Sequence, residues 1–300
     1  MRAVVLHGVD GELALEEVDP PDGDDVVDVH AAGINFLDVL IRRGRYPQMP
    51  EFPHILGAEV SGELDGRRVL ALTSGAGGGY AERVAVDPQW TFSLPDGASF
   101  AEGASFLMTY LTAYLALARQ VRVTSASTVL VHAGSGGVGC AAIQLAKSLG
   151  ARVVATASSE EKRALAREVG ADEAIGYDEL DDVKADVVVD PVGGEVFSRS
   201  LRVLNPQGQI VAIGFAGGAW EDVNPSLIVG RNIGVQGVYL GRLMQLRPDL
   251  VHECADELLE LWARGEIRPV VGAEFPLDRA ADAHALIEDR KHVGKVVLQP

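Results

Sequence analysis

Residues Thr128–Lys162 read TVLVHAGSGGVGCAAIQLAKSLGARVVATASSEEK. A β-branched run leads into a glycine-rich turn. The turn opens an apolar pattern of helical period, and a second β-branched run, RVVATA, follows it. Gly134, Ser135, Gly136, Gly137, Val138 and Gly139 fit the spacing G-x-G-x-x-G. Alone that spacing is weak. Between a strand and a helix, with a second strand at the right distance, it marks a dinucleotide-binding turn. The first glycine permits the tight turn, the second lets the backbone approach a pyrophosphate, and the third lets the helix pack closely on the sheet. Phosphates then meet the free N–H groups at a helix N-terminus. Cys140, just past the turn, reads as a small packed side chain rather than a nucleophile.

The end of the second strand selects the dinucleotide. NAD sites place Asp or Glu there to accept from the ribose 2′-OH. Here Ala157 is followed by Ser158 and Ser159, with Lys162 in the next turn. A carboxylate would repel a 2′-phosphate, whereas hydroxyls donate to it and an ammonium attracts it. The pattern predicts NADPH. Glu160 and Glu161 lie nearby and oppose this reading.

Outward from this stretch, the first hundred residues read as short strands and turns: MRAVVLH, LALEEVD, VVDVHAA, RRVLALT, GGYAERVAV and TFSLP. INFLDVLIRRG reads as a short helix ended by Gly44. AEGASFLMTYLTAYLALARQ has helical spacing, and strands then alternate with helices as far as NIGVQGVYL. The chain returns through the helical LVHECADELLELWARG to the short strands VGAEFPL and GKVVLQP. The expected fold class is α/β: a β-rich domain from residues 1–109 and 251–300, and a doubly wound parallel sheet from 110–250. The formal net charge of −17, from 26 basic and 43 acidic side chains, disfavours nucleic acid and anionic membranes as partners. No apolar run reaches the length of a bilayer span, and the N-terminus lacks signal-peptide character, so a cytoplasmic location is expected. Two cysteines build no disulfide scaffold.

The cofactor segment VLVHAGSGGVGCAAIQLAKSLGARVVATASSEEKRALAREVGAD, the stretch AAGINFLDVLIRRGRYP and the ending GKVVLQP together resemble a known family. They are similar to the zinc-free quinone oxidoreductases, the zeta-crystallin-like branch of the medium-chain dehydrogenase/reductase superfamily. The resemblance implies a GroES-like domain plus a Rossmann domain with the active site in the cleft between them. It implies NADPH-dependent reduction of quinones or of activated carbon–carbon double bonds, and a homodimer formed through NIGVQGVYL. The stretch from Glu59 to Arg68 is shorter than in many family members. Zinc alcohol dehydrogenases of the same superfamily carry ligands where this chain has Asn35 and Ala58, and no H-x-x-x-H or Cys–His cluster replaces them, so no metal is expected.

By the same resemblance Asn35, Asp38 and Tyr46 are catalytic positions. The Asn35 amide suits donation to a carbonyl oxygen, Tyr46 suits donation or stacking, and Asp38 suits orienting a neighbour. Thr112 matches a threonine beside the nicotinamide, and Gly214 and Phe215 a turn at the nicotinamide end. Tyr177 matches a tyrosine near the adenosine phosphate, and Arg290 an arginine reaching the 2′-phosphate. Asn232 is a further cofactor contact by analogy. The substrate is a small quinone or conjugated carbonyl. The alternatives are an enone or enoyl-thioester reductase and a noncatalytic NADPH-binding protein. Substituting Lys162→Ala is expected to weaken NADPH binding far more than NADH binding in fluorescence titrations; an equal loss for both would discredit the 2′-phosphate assignment.

Overall fold

Parallel strands need helical crossovers, and the alternation of β-branched runs with amphipathic stretches after residue 127 supplies them. The computed structural model describes residues 1–73 and 77–300 and divides into two units, Met1–Met108 with Arg268–Pro300, and Thr109–Ile267. In the second unit the strands are Thr128–Val131, Arg152–Thr156, Glu173–Ile175, Ala185–Asp190, Leu204–Ala212 and Gly234–Gly237. Their spatial order is third, second, first, fourth, fifth, sixth, and every neighbouring pair is parallel. The strand order reverses between the first and fourth strands, the position where doubly wound sheets bind ligands beyond their carboxyl ends. Val129, Leu130 and Val131 are all fully buried, as a strand covered on both faces requires. Leu130, Val154, Val188 and Ile210 form the centre of this core with Phe197 and Leu201 of the helix Gly194–Val203.

The first unit holds a six-stranded sheet in the order Val271–Pro276, Lys295–Gln299, Val26–Ile34, Glu59–Leu64, Arg67–Thr73, Arg83–Ser93. The last strand pairs back onto Val26–Ile34, so four of the strands close into a ring. Closure removes the exposed edges that an open sheet would present. Glu59–Leu64 and Arg67–Thr73 join through Asp65 and Gly66, whose φ values of 50° and 73° are those of a two-residue hairpin turn. That turn is the shortened connection read from the sequence. A separate three-stranded sheet comprises Leu13–Glu17, Arg2–Leu6 and His54–Ile55.

Three expectations are corrected. The units part at Ile267/Arg268 rather than at 250/251. The helix Pro248–Ala263 stays with the second unit, where Tyr114 donates to Glu257 and Arg119 bonds Glu253 and Glu257. The continuous helix expected from AEGASFLMTYLTAYLALARQ is broken into Phe100–Gly103, Leu107–Tyr114 and a wider π-helical segment, Leu115–Gln120. Near the first break the Ser105 hydroxyl donates to the Ala101 carbonyl, competing with regular helix bonding. GGYAERVAV and TFSLP, read as two strands, belong to the single strand Arg83–Ser93, with an irregular register against Arg67–Thr73.

The glycine turn shows why its last position has no side chain. A Cβ on Gly139 would stand 2.8 Å from the Gly134 Cα and closer still to the Ala133 carbonyl oxygen. Gly139→Ala is expected to cost about 1–3 kcal/mol by overpacking. Circular dichroism should show the thermal midpoint falling by about 3–10 °C; an unchanged midpoint would contradict this packing.

Candidate functional site

At the carboxyl edge of the parallel sheet the first strand runs on into His132, which is fully buried. Burial pushes its imidazole pKa down to about 3, so the ring is neutral at ordinary pH. Its Nδ1 lies 2.9 Å from Thr156 Oγ1 and its Nε2 2.7 Å from Ser200 Oγ. The Ser200 hydroxyl donates to the Val196 carbonyl at 2.7 Å. Its only proton is therefore committed, so Nε2 donates to Ser200 and Nδ1 accepts from Thr156. This line of bonds ties the first two strands to the helix Gly194–Val203 beneath the glycine turn.

Above it, Ala133 adopts a left-handed φ of 50° and its N–H donates to the Tyr177 hydroxyl at 3.2 Å. The Tyr177 ring stacks on His132 with centroids 6.1 Å apart. The Gly134 N–H donates to the Thr156 carbonyl at 2.9 Å, joining the turn to the end of the second strand. A Cβ on Gly134 would meet the Ala155 Cβ at 2.8 Å, whereas one on Gly136 would meet only the Ala133 oxygen, at 3.5 Å. The sheet excludes a side chain at the first glycine and the backbone of the turn at Ala133 and Gly134 excludes one at the third; the second faces open space, where a ligand can approach the backbone. Ser135 is buried, Gly137 and Val138 are half-buried, and the helix Gly137–Ser148 starts here. Cys140 is buried under the turn, which pushes its thiol pKa up to about 12 and leaves it a packed, protonated side chain.

Beyond the second strand, Ala157 is buried and Ser158 and Ser159 are exposed. Ser159 caps the helix Glu160–Glu168, its Oγ accepting from the Lys162 N–H at 3.3 Å, which leaves the hydroxyl proton to donate outward. Glu160 is turned to Arg163, at 3.0 Å, and to Arg167, and these bonds hold its carboxyl below its ordinary pKa. Of the two acidic neighbours that opposed a phosphate, Glu160 is thus paired with cations. At the end of the fourth strand Asp190 Oδ1 accepts from the Val192 and Gly193 N–H groups at 2.8 and 3.0 Å. The turn carrying Gly214 and Phe215 is pinned to this loop, with Ile213 donating to the Asp190 carbonyl and Ala216 to that of Pro191.

In the first unit, Asn35 precedes the helix Phe36–Arg42 and its N–H donates to Asp38 Oδ2 at 2.7 Å. Asp38 Oδ1 accepts from the Gly57 N–H at 3.1 Å, and the Tyr80 hydroxyl donates to the same carboxyl. Tyr80 in turn lies 3.1 Å from His284 Nε2. Asp38, Tyr80 and His284 are all fully buried. Desolvation raises the Asp38 pKa to about 6 against the lowering effect of its donors, raises Tyr80, and lowers His284 to about 3. The Asn35 side chain meets a second group: Lys295 Nζ donates to Asn35 Oδ1 and to Glu59 Oε1, both at 2.7 Å, and Asn35 Nδ2 donates to Glu59 Oε1 at 3.0 Å.

The structure therefore gathers Gly134 to Gly139, Ser158, Ser159, Lys162, Tyr177, Gly214 and Phe215 on one edge of the second unit. Asn35 and Asp38 are joined in the first, where Tyr46 packs half-buried against the main core. Thr112 is buried in the helix Leu107–Tyr114. Arg290 is exposed in the first unit at the turn after the helix Ala280–Glu288, with a φ of 54°. Asn232 is not brought to the glycine turn. It ends the helix Pro225–Arg231 in a left-handed conformation, and its carbonyl accepts from Gln207 at 2.6 Å. That places it at the amino end of the parallel strands, opposite the glycine turn, where it serves as a helix cap. Sequence reasoning missed His132, Glu59, Tyr80, His284 and Lys295. The available signal was polarity inside apolar strand runs, in TVLVHAG and GKVVLQP.

A family model described as an alcohol dehydrogenase GroES-like domain matches residues 21–96, and one described as a zinc-binding dehydrogenase matches 137–260. The chain is 34% identical to quinone oxidoreductase-like protein 2 of Rattus norvegicus, across 99% of this chain and 91% of that protein. Among solved structures it is similar to the Thermus thermophilus quinone oxidoreductase, studied alone and with NADPH, with a TM-score of 0.91 and 39% identity over the whole of both chains. The Escherichia coli quinone oxidoreductase complexed with NADPH gives 0.90 and 30%, again over both whole chains. The closed ring of the first unit is a GroES-like domain and the parallel sheet a Rossmann domain.

The second model's description raises the matter of zinc, and the residues here do not fit it. Asn35 Oδ1 accepts from the Lys295 ammonium, Glu59 Oε1 does the same, and Glu59 Oε2 accepts from the Met108 N–H at 3.1 Å. Ala58 offers no donor atom, and an ammonium bonded to these oxygens repels a divalent cation. Among the described residues no group of three or more His, Cys, Asp or Glu side chains could hold a metal ion.

The raised pKa of Asp38 has a definite sign in stability. In the folded chain the carboxyl stays protonated to about pH 6, against 3.8 as its ordinary value. Its contribution is fully present below the ordinary value and is lost as pH rises through 6, amounting to roughly 3 kcal/mol at neutral pH. Removing the Tyr80 hydroxyl removes a donor to the charged form and raises the carboxyl further. Tyr80→Phe is therefore expected to lower the thermal midpoint more at pH 8 than at pH 5, while His284 remains neutral at both. An equal penalty at the two pH values would refute the assignment.

Proposed function

We propose, from the premise that this chain belongs to the zinc-free quinone oxidoreductase branch of the medium-chain dehydrogenase/reductase superfamily, that it reduces quinones with NADPH. The observation that carries the proposal is the end of the second Rossmann strand, where Ser158, Ser159 and Lys162 stand in place of a ribose-binding carboxylate. Bound NADPH supplies a hydride from its nicotinamide. The half-buried backbone at Gly136 and the N-terminus of the helix Gly137–Ser148 would hold the pyrophosphate. Ser158, Ser159 and Lys162 would hold the 2′-phosphate, and Tyr177, bonded to the Ala133 N–H, would stand beside the adenosine. Thr112, Gly214 and Phe215 line the nicotinamide end.

Negative charge develops on the acceptor's oxygen, and Asn35 is the group we assign to meet it. One Nδ2 hydrogen is engaged by Glu59 at 3.0 Å, and the other has only a long 3.4 Å bond to the Gly33 carbonyl, so it is the one to donate. Asp38 is not the acid, because its oxygens already accept from Asn35, Gly57 and Tyr80. A quinone is a good acceptor and its product oxyanion takes a proton from water or from Tyr46, so no strong protein acid is required. The proposal extends to a cytoplasmic homodimer. The strand Gly234–Gly237 ends the sheet with one neighbour, and an identical strand would satisfy its other edge. No helix among the described residues is long and apolar enough to cross a membrane.

A parallel assay with 1,4-benzoquinone, 9,10-phenanthrenequinone, 2-cyclohexenone and a crotonyl thioester, each with NADPH and with NADH, tests the proposal. Turnover is expected with the quinones and NADPH. Preference for the enone or the thioester would transfer the chain to carbon–carbon double-bond reduction, and tight NADPH binding without turnover of any acceptor would remove the catalytic role.

A further inference from the structure

Lys295 opens the strand Lys295–Gln299, and its side chain is only 5% exposed; that of its partner Glu59 is 1% exposed. All three ammonium hydrogens are used: by the Ile34 carbonyl at 2.9 Å, by Asn35 Oδ1 at 2.7 Å and by Glu59 Oε1 at 2.7 Å. Glu59 is equally committed, accepting from Lys295 and Asn35 through Oε1 and from the Met108 N–H through Oε2. Gly33 makes room for it, since a Cβ there would meet Glu59 Cγ and Oε1 at 2.8 Å. Of Lys295, Glu59 and Asn35, Asn35 alone retains exposure.

A buried ion pair is a poor device for stability. Two desolvated charges recover little over an apolar pair of the same volume, yet removing one of them strands the other. What this pair supplies that an apolar pair cannot is direction. An amide has two ends of nearly equal shape, and ordinary surroundings permit either orientation. Here one neighbour is an ammonium, which only donates, and the other a carboxylate, which only accepts. They admit one orientation of the Asn35 amide, with oxygen toward Lys295 and nitrogen toward Glu59. The ammonium on the oxygen also polarises the amide and makes the remaining N–H a stronger donor.

We infer that Lys295 and Glu59 are positioning residues, an ion pair retained to hold the Asn35 amide in the single orientation that presents its N–H to the acceptor's oxygen. The inference rests on the assignment of Asn35 above, and the experiment separates the two. Single substitutions would leave a buried charge alone and threaten folding, so the test is the double variant Glu59→Gln, Lys295→Met in the full chain, beside Asn35→Ala and the triple variant.

The double variant is expected to keep the wild-type thermal midpoint within a few degrees and to keep its NADPH affinity by fluorescence titration. Its kcat with 1,4-benzoquinone should fall on the order of tenfold to a hundredfold, and adding Asn35→Ala should cost little more, because both remove the same donor. Wild-type kcat in the well-folded double variant, or losses that multiply in the triple variant, would overturn the inference. The side-chain amide resonances of Asn35, observed with NADPH present, report positioning without turnover. Exchange-protected, shifted signals in the wild type that become solvent-like in the double variant are expected; signals unchanged between the two would overturn it. If the wild type turned over no acceptor while those signals behaved as expected, the assignment of Asn35 to the reaction would fail and the positioning would stand.

Discussion

The helix Gly137–Ser148 begins so close to the strand that leads into it that no side chain fits between the Gly139 backbone and Ala133. Everything at the carboxyl edge of the Rossmann sheet depends on that approach. It aims the helix N-terminus outward past Gly136, forces Ala133 into a left-handed conformation, and so turns the Ala133 N–H to the Tyr177 hydroxyl. The neutral His132 beneath closes the arrangement, joining two strands and a helix through Thr156 and Ser200 without leaving a charge in the core. A glycine turn with a tyrosine and two serines beside it rests on one steric contact supported by one hydrogen-bonded line.

The GroES-like domain solves a different problem, the orientation of a single short side chain. Asn35 is held twice. Its backbone N–H reaches Asp38, which is itself fixed by Gly57 and by the buried Tyr80–His284 pair. Its amide reaches Lys295 and Glu59. The two groups differ in electrostatic character. Around Lys295 and Glu59 opposite charges compensate each other. Around Asp38 there is one carboxyl among neutral donors, and burial raises its pKa. A ring of strands closed on itself can keep both in place, because residues distant in sequence are adjacent on its inner and lower faces.

Much of this was legible in the residues, and the limits of legibility have physical causes. The strand–turn–helix–strand unit and the serines in place of an acid after the second strand depend on neighbours a few positions apart, so spacing reveals them. Asp38 was read as an orienting group; its carboxyl accepts from the Asn35 and Gly57 N–H groups. Asn232 misled because position before a strand says nothing about which end of the sheet that strand presents; parallel pairing puts it opposite the glycine turn. The return of the chain was placed too early because Pro248–Ala263 looks like any amphipathic helix, and only its ion pairs with Arg119 and its bond to Tyr114 show which unit it serves.

By itself the sequence determined the Rossmann turn, the serines that stand in place of an acid after its second strand and the two-domain α/β architecture, since each is set by residue type within one local unit. The tertiary structure alone decided how Asn35 faces. Its amide partners lie 24 and 260 residues away, at Glu59 and Lys295. Their effect arises only when folding removes water from both charges, because a solvated lysine and glutamate would leave the amide free to turn.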